Sequence, residues 1–204
     1  MNGITLVWFR TASGGIMDTL QFFEIVPSLK YSTYSSAVKF FQNKVTTISP
    51  IGKGDYGTVF RLSDGHVLKL FKTNDEAYKT FLKLVMLSDN PHLPNIYCFD
   101  EYNKFGWVIL EFLNEYSLTE YLRLTFDTIV LQISNIICGK HYEKLLPLSL
   151  LELAEELKFH AKGYCLDFRK ANFGLRQETL VLFDPFTNKT KQNSHLQYVE
   201  KDNE

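Results

Sequence analysis

The residues best suited to chemistry in this 204-residue chain fall in one short stretch, Cys165-Leu166-Asp167-Phe168-Arg169-Lys170-Ala171-Asn172, and at Asp184, which ends the apolar run Leu180-Val181-Leu182-Phe183. Carboxylate and amide oxygens are hard donors. They suit a hard cation. Read alone, the same residues between two hydrophobic segments are also an ordinary solvated turn. The elements upstream have to separate the two readings.

The most informative of these is Gly52-Lys53-Gly54-Asp55-Tyr56-Gly57-Thr58-Val59, a complete G-x-G-x-x-G-x-V. A dinucleotide fingerprint of this form opens a helix after its last glycine. Here β-branched and aromatic residues continue instead, so Thr47–Ile51, Thr58–Leu62 and His66–Phe71 read as strands, the last two joined by a hairpin turn at Ser63-Asp64-Gly65. Glycines in such a setting let the backbone approach a ligand because no Cβ intervenes. The third strand carries Val67-Leu68-Lys69-Leu70. By itself Lys69 reads equally as a charge on a strand reaching solvent.

A helix from Thr73 to about Leu87 follows, then strands over Ile96–Tyr102 and Gly106–Phe112. Beyond them, Ser117-Leu118-Thr119-Glu120 and Ser149-Leu150-Leu151-Glu152 read as capping boxes opening helices that run to about Lys140 and His160. The second helix has Leu150, Leu153, Ala154 and Leu157 on one face. Lys162-Gly163 returns the chain to the Asp167 loop.

Taken in order, these features resemble a protein kinase over residues 47–186. The resemblance implies an α+β, two-lobed fold: a small antiparallel β-sheet N-lobe and a reduced, mostly helical C-lobe. The chain then divides into a leader and N-terminal extension (1–34), the N-lobe (35–113), the C-lobe (114–187) and a polar tail (188–204). It also implies roles. Gly52, Gly54, Gly57 and Val59 cover the phosphates of ATP, and Lys69 pairs with its α- and β-phosphates. Leu110 gates the adenine pocket and the backbone of Glu111 to Leu113 reads the adenine edge. Asp167 orients or deprotonates the acceptor hydroxyl, Arg169 steadies the transferred group, and Asn172 and Asp184 hold Mg2+. Glu76, the only glutamate of its helix, is either the partner of Lys69 or a capping-box residue with Thr73. His92, between prolines, reads as capping or packing.

Asp-Phe-Arg-Lys-Ala-Asn-Phe-Gly followed by Phe-Asp-Pro-Phe is most similar to minimal Ser/Thr kinases of phages and enterobacteria and to effector kinases secreted by bacterial pathogens. One such group phosphorylates a host heat-shock chaperone. The chain departs from the wider family at three places. Cys165-Leu166 replaces the His-Arg before the catalytic Asp, Asp184-Pro185-Phe186 replaces Asp-Phe-Gly, and eighteen residues after Phe186 leave no room for a regulated activation segment. Together these suggest a constitutively competent enzyme acting on a protein. A pseudokinase binding module and a small-molecule phosphotransferase are the rival readings.

Composition sets outer bounds. A chain that is 45% hydrophobic and 15% aromatic can bury a core. A formal net charge of -1 argues against a nucleic-acid partner. Three scattered cysteines without metal-ligand spacing fit a reducing, cytoplasmic setting. No stretch is apolar for the length of a membrane span. Residues 1–16 have no periodicity and leave room for a secretion address without a fixed motif. The chain reads as a monomer.

Overall fold

The computed structural model describes residues 17–44, 51–115, 120–141, 146–160 and 162–188. Two helices precede the glycine-rich stretch, α1 (Thr19–Ile25) and α2 (Tyr34–Lys44), joined through a 3-10 turn at Val26–Leu29. Asp18 caps α1 in a reciprocal box with Gln21. The next elements are β1 (Gly52–Lys53), β2 (Gly57–Arg61), β3 (His66–Phe71), α3 (Glu76–Leu87), β4 (Ile96–Glu101) and β5 (Gly106–Glu111). The five strands form an antiparallel sheet in the order β1-β2-β3-β5-β4. Gly65 takes φ +84° in the β2–β3 turn, the left-handed conformation expected of that hairpin.

Strand β3 is buried on both faces, and the alternation of side chains explains how. Val67 and Phe71 face α3, where they join Ala77, Tyr78 and Phe81; Leu68 and Leu70 face the other way, against Phe22, Phe41, Trp107 and Ile109. Phe22 has no exposed surface and meets the Trp107 ring edge-on at 4.9 Å. The N-terminal boundary expected at residue 34 therefore needs correction. From Met17 onward the chain belongs to the sheet lobe, because α1 and α2 cover a sheet face that would otherwise expose Leu68, Leu70 and Trp107.

The second lobe holds β6 (Asn114–Glu115), α4 (Glu120–Ile137), α5 (Leu148–His160), β7 (Tyr164–Leu166), a 3-10 turn at Lys170–Asn172, β8 (Phe173–Arg176), β9 (Thr179–Leu182) and β10 (Phe186–Asn188). The architecture is α+β, an antiparallel sheet lobe joined to a helical lobe, as the kinase resemblance implies. Sequence periodicity missed the short strands, which form a β6-β8-β9 sheet and a β7-β10 pair. Ile133 and Ile136 of α4 and Leu150, Leu153 and Leu157 of α5 are buried in the same cluster as Val67 and Phe71, so one core runs through both lobes.

Two helix starts differ from expectation. Helix α3 begins at Glu76 with Asp75 as its cap, accepting from the Tyr78 amide, so Thr73 and Glu76 do not form the expected box. Helix α5 begins at Leu148, which places Ser149 inside it; its hydroxyl bonds His92 Nε2 (2.9 Å) instead of capping. The Ser117 box, most of the Thr47–Ile51 strand, the leader over 1–16 and the tail beyond Asn188 lie outside the described residues.

Candidate active site

The turn between β1 and β2, the strand β3, the β5–β6 connection and the loop after β7 open onto one cleft of about 1150 Å³. Gly52, Gly54, Gly57 and Val59 line its roof. Lys69, Leu110, Glu111 and Leu113 line its back, and Asp167, Arg169, Asn172 and Asp184 its floor. Of the expected site residues only Glu76 is not among the lining.

The three glycines are not equivalent. A Cβ at Gly57 would stand 3.0 Å from Lys69 Cε and 3.2 Å from the Leu70 carbonyl, so a bare backbone there lets the lysine pass beneath the turn. At Gly54 a Cβ would meet nothing within 4 Å. No neighbour among the described residues explains that glycine, and its bare backbone faces the cleft.

Lys69 is 8% exposed. A buried ammonium needs compensation, and Asp184 supplies it at 2.8 Å, linking positions 115 residues apart. The Tyr78 ring adds a second contact, with Lys69 Nζ 3.3 Å from its centroid. Glu76 does not take part. It lies on the outer face of α3, its side chain 61% exposed, in an ion pair with Lys79 at 2.6 Å. The expectation of a Glu76–Lys69 pair fails because a cap at Asp75 turns Glu76 outward and brings Asp75 and Tyr78, three residues apart, onto the inner face. Asp75 also lines the cleft. Burial raises its carboxyl above the usual range, opposed by the Tyr78 amide and the Lys69 charge.

On the floor, Arg169 grips the Asp167 carboxylate through Nε (2.6 Å) and Nη2 (2.5 Å). That bond raises the Arg169 guanidinium further above its usual range. Asn172 is buried and donates its amide to the Asp167 carbonyl (2.7 Å), which leaves its side-chain oxygen as the acceptor. The Asp167 amide donates to the Pro185 carbonyl (2.7 Å), and β7 pairs with β10 at Leu166–Phe186. Phe186 is buried, stacked on Tyr164 and edge-on to Phe81 of α3. The backbone on either side of Asp167 and Asp184 is thus tied together, and Asp184 runs directly into paired strand.

The connection between the two lobes at Glu111-Phe112-Leu113, the hinge, differs from the sequence reading in one respect. The Glu111 amide donates to the Asn95 carbonyl (3.1 Å), so its N–H is not available to a bound base. The Glu111 side chain is structural. It accepts from both Asn95 nitrogens and from Arg176, whose Nε lies 2.9 Å away and whose Nη2 also bonds it. Arg176 further donates to the Pro91 and Leu93 carbonyls. His92 bolts the same region, donating from Nδ1 to the Leu180 carbonyl (2.7 Å) and accepting from Ser149. Burial lowers its imidazole below the usual value. Metal-type clusters of three or more His, Cys, Asp or Glu are absent among the described residues.

Asp75, Tyr78 and Arg176 are the residues that sequence reasoning missed. Asp75 carried a signal, since Asp is as good a helix cap as Thr. Tyr78 and Arg176 carried none, because their partners lie in other elements.

No protein-family model and no curated protein sequence matches the chain. Solved structures do match, 382 chains in all. Among them is the crystal structure of Rad53 1–466 in complex with AMP-PNP, 14% identical, with a TM-score of 0.39. The match covers 68% of this chain and 37% of that one, so this chain spans little more than a third of that structure's length.

Proposed function

We propose that the protein is a minimal Ser/Thr kinase that transfers the γ-phosphoryl group of ATP, with Mg2+, to a protein hydroxyl. The observation that carries this reading is the Lys69–Asp184 pair at 2.8 Å, with the Asp167 loop lining the same cleft beneath the glycine turn. Solvated turn residues have no reason to converge on one cavity from positions more than a hundred apart.

In this reading the backbone from Gly52 to Gly57 closes over the nucleotide phosphates, and Lys69 pairs with them. Asn172 and Asp184 are the residues that would hold Mg2+, two hard oxygen donors in keeping with that ion's sparse demand for protein ligands. Magnesium, when bound, neutralises charge on the phosphate oxygens. Asp167 orients the acceptor hydroxyl and takes its proton as the oxygen bonds to phosphorus and the bond to the leaving ADP oxygen breaks. Arg169, fixed on Asp167, presents a cation at the cleft floor. Positioning and charge supply the catalysis.

Constitutive competence belongs to the same proposal, since Pro185 and Phe186 are engaged by β7 and α3 with no intervening free segment. We extend it to a protein acceptor, with a host chaperone as the candidate from the sequence resemblance, met in the cytoplasm or after secretion, and to action as a monomer.

The test is transfer of labelled phosphate from ATP with magnesium to candidate proteins, beside Asp167→Ala and Asp184→Ala. Wild-type transfer that both variants lose by more than a hundredfold is expected. Equal labelling by wild type and variants overturns the proposal. Nucleotide binding without transfer would identify a pseudokinase, and label found only on small hydroxylated molecules a metabolite phosphotransferase.

A further inference from the structure

We infer that the face of the Tyr78 ring, set in place by the Asp75 cap of α3, is the seat that positions the Lys69 ammonium in this cleft. The inference rests on the proposed nucleotide role of Lys69 and goes beyond it by assigning a positioning residue that no sequence motif marks.

Three observations converge. Lys69 Nζ stands 3.3 Å from the Tyr78 centroid, within the range where an aromatic quadrupole attracts a cation, and both side chains are buried, where that attraction is strongest. The Tyr78 hydroxyl is buried and has no hydrogen-bond partner among the described residues. The phenol oxygen therefore does not account for a tyrosine here, and the ring is what the site uses. Finally, Asp75 fixes the ring's height by accepting from the Tyr78 amide (3.2 Å), while its own carboxylate lines the cleft close enough to feel the charges of Lys69 and Asp184.

Chemically the arrangement suits a lysine that must change partners. Asp184 holds it at 2.8 Å, yet in the proposed reaction Asp184 would hold Mg2+ and Lys69 would pair with phosphate. A carboxylate of α3 bonded directly to Lys69, the arrangement the sequence allowed for Glu76, would be a further acceptor competing with the phosphates for the ammonium. A ring face holds the cation from one side, leaves the N–H groups that point away from the ring to donate to other acceptors, and adds no net charge. Tyr78 stays rigid under it, packed between the Phe71 and Phe81 rings at 5.3 Å and 6.2 Å.

The experiment replaces Tyr78 with phenylalanine and with its mono-, di- and trifluorinated forms by non-natural incorporation. These share nearly one shape while the ring face loses negative potential stepwise. Dissociation constants for the magnesium complex of AMP-PNP, measured by calorimetry, are expected to match wild type for Phe and to rise stepwise to about tenfold for trifluoro-Phe, at unchanged thermal midpoints. Glu76→Gln, on the outer face, is expected to stay within about twofold of wild type. In the ligand-free protein, the Lys69 Cε protons are expected to resonate upfield through the ring current, in wild type and Tyr78→Phe alike, and to return toward ordinary lysine positions in Tyr78→Leu.

A flat fluorination series, or a Glu76→Gln effect as large as trifluoro-Phe, overturns the assignment. So does an unshifted Lys69 resonance, which reads the seat even in protein that binds no nucleotide. Failure of the proposed function looks different: wild-type protein then transfers no phosphate while the ring-current shift persists.

Discussion

Arg176→Ala is expected to loosen the hinge without touching the cleft floor. The side chains of Glu111 and Arg176 are 11% and 29% exposed, and Arg176 makes two bonds to that carboxylate and two to the Pro91 and Leu93 carbonyls. Removing one partner of a buried pair costs about 3–5 kcal/mol because a charge is left stranded. Two features reduce this. Both Asn95 nitrogens still donate to Glu111, at 2.8 Å and 3.3 Å, and the partial exposure of Arg176 lets water screen the pair. A loss of about 2–3 kcal/mol remains, which for a chain of this size is a fall of roughly 5–10 °C in midpoint. Urea unfolding measures it directly, with an unchanged m-value as the check on two-state behaviour. In a double-mutant cycle with Glu111→Gln, the coupling should account for most of the loss. Arg176→Lys keeps the charge but not the fork and should recover less than half of it. An Arg176→Ala loss below about 0.5 kcal/mol, the level of an ordinary surface change, or additivity with Glu111→Gln, would refute the view of this pair as the hinge clamp.

Other perturbations probe the remaining supports. Phe22→Ala should cost about 3–5 kcal/mol in denaturant unfolding, since it empties a fully buried ring site against Trp107; a cost under 1 kcal/mol would mean that α1 is not part of the sheet lobe. Burial holds the His92 imidazole neutral, so below about pH 6.5 the unfolded chain binds a proton that the folded chain refuses, and stability falls as pH drops toward the lowered folded value. His92→Gln should flatten the stability–pH slope just below pH 6.5 by as much as about 1.4 kcal/mol per unit, and an unaltered slope would show that His92 does not titrate in this way. Gln177 takes φ +55° in the β8–β9 turn. Gln177→Gly should raise stability by about 0.5–1 kcal/mol, read as a higher urea midpoint, and a lower midpoint would contradict a strained backbone there.

The amino-acid sequence alone placed the glycine turn, Lys69, Asp167, Asn172 and Asp184, because each is fixed by spacing along a short stretch of backbone. Strand alternation over His66–Phe71 and the positive φ required at Gly65 are equally local. It determined less about what those residues touch. Whether Lys69 meets Glu76 or Asp184 depends on the rotation of α3, and shifting a helix cap by a residue or two re-aims every side chain, since each residue turns about 100° around the axis. Thr73 and Asp75 are both good caps, and only packing of Tyr78 between Phe71 and Phe81 selects the second. The continuous apolar run Trp107-Val108-Ile109-Leu110 in β5 did require cover on both sheet faces, but it could not name α1 as part of that cover. Arg176 and Glu111, 65 residues apart, carry no pattern in the chain that pairs them. The candidate groups were legible because particular residue types stand at particular spacings along the chain, while tertiary structure decided their partners because burial favours whichever neighbours can satisfy a desolvated charge.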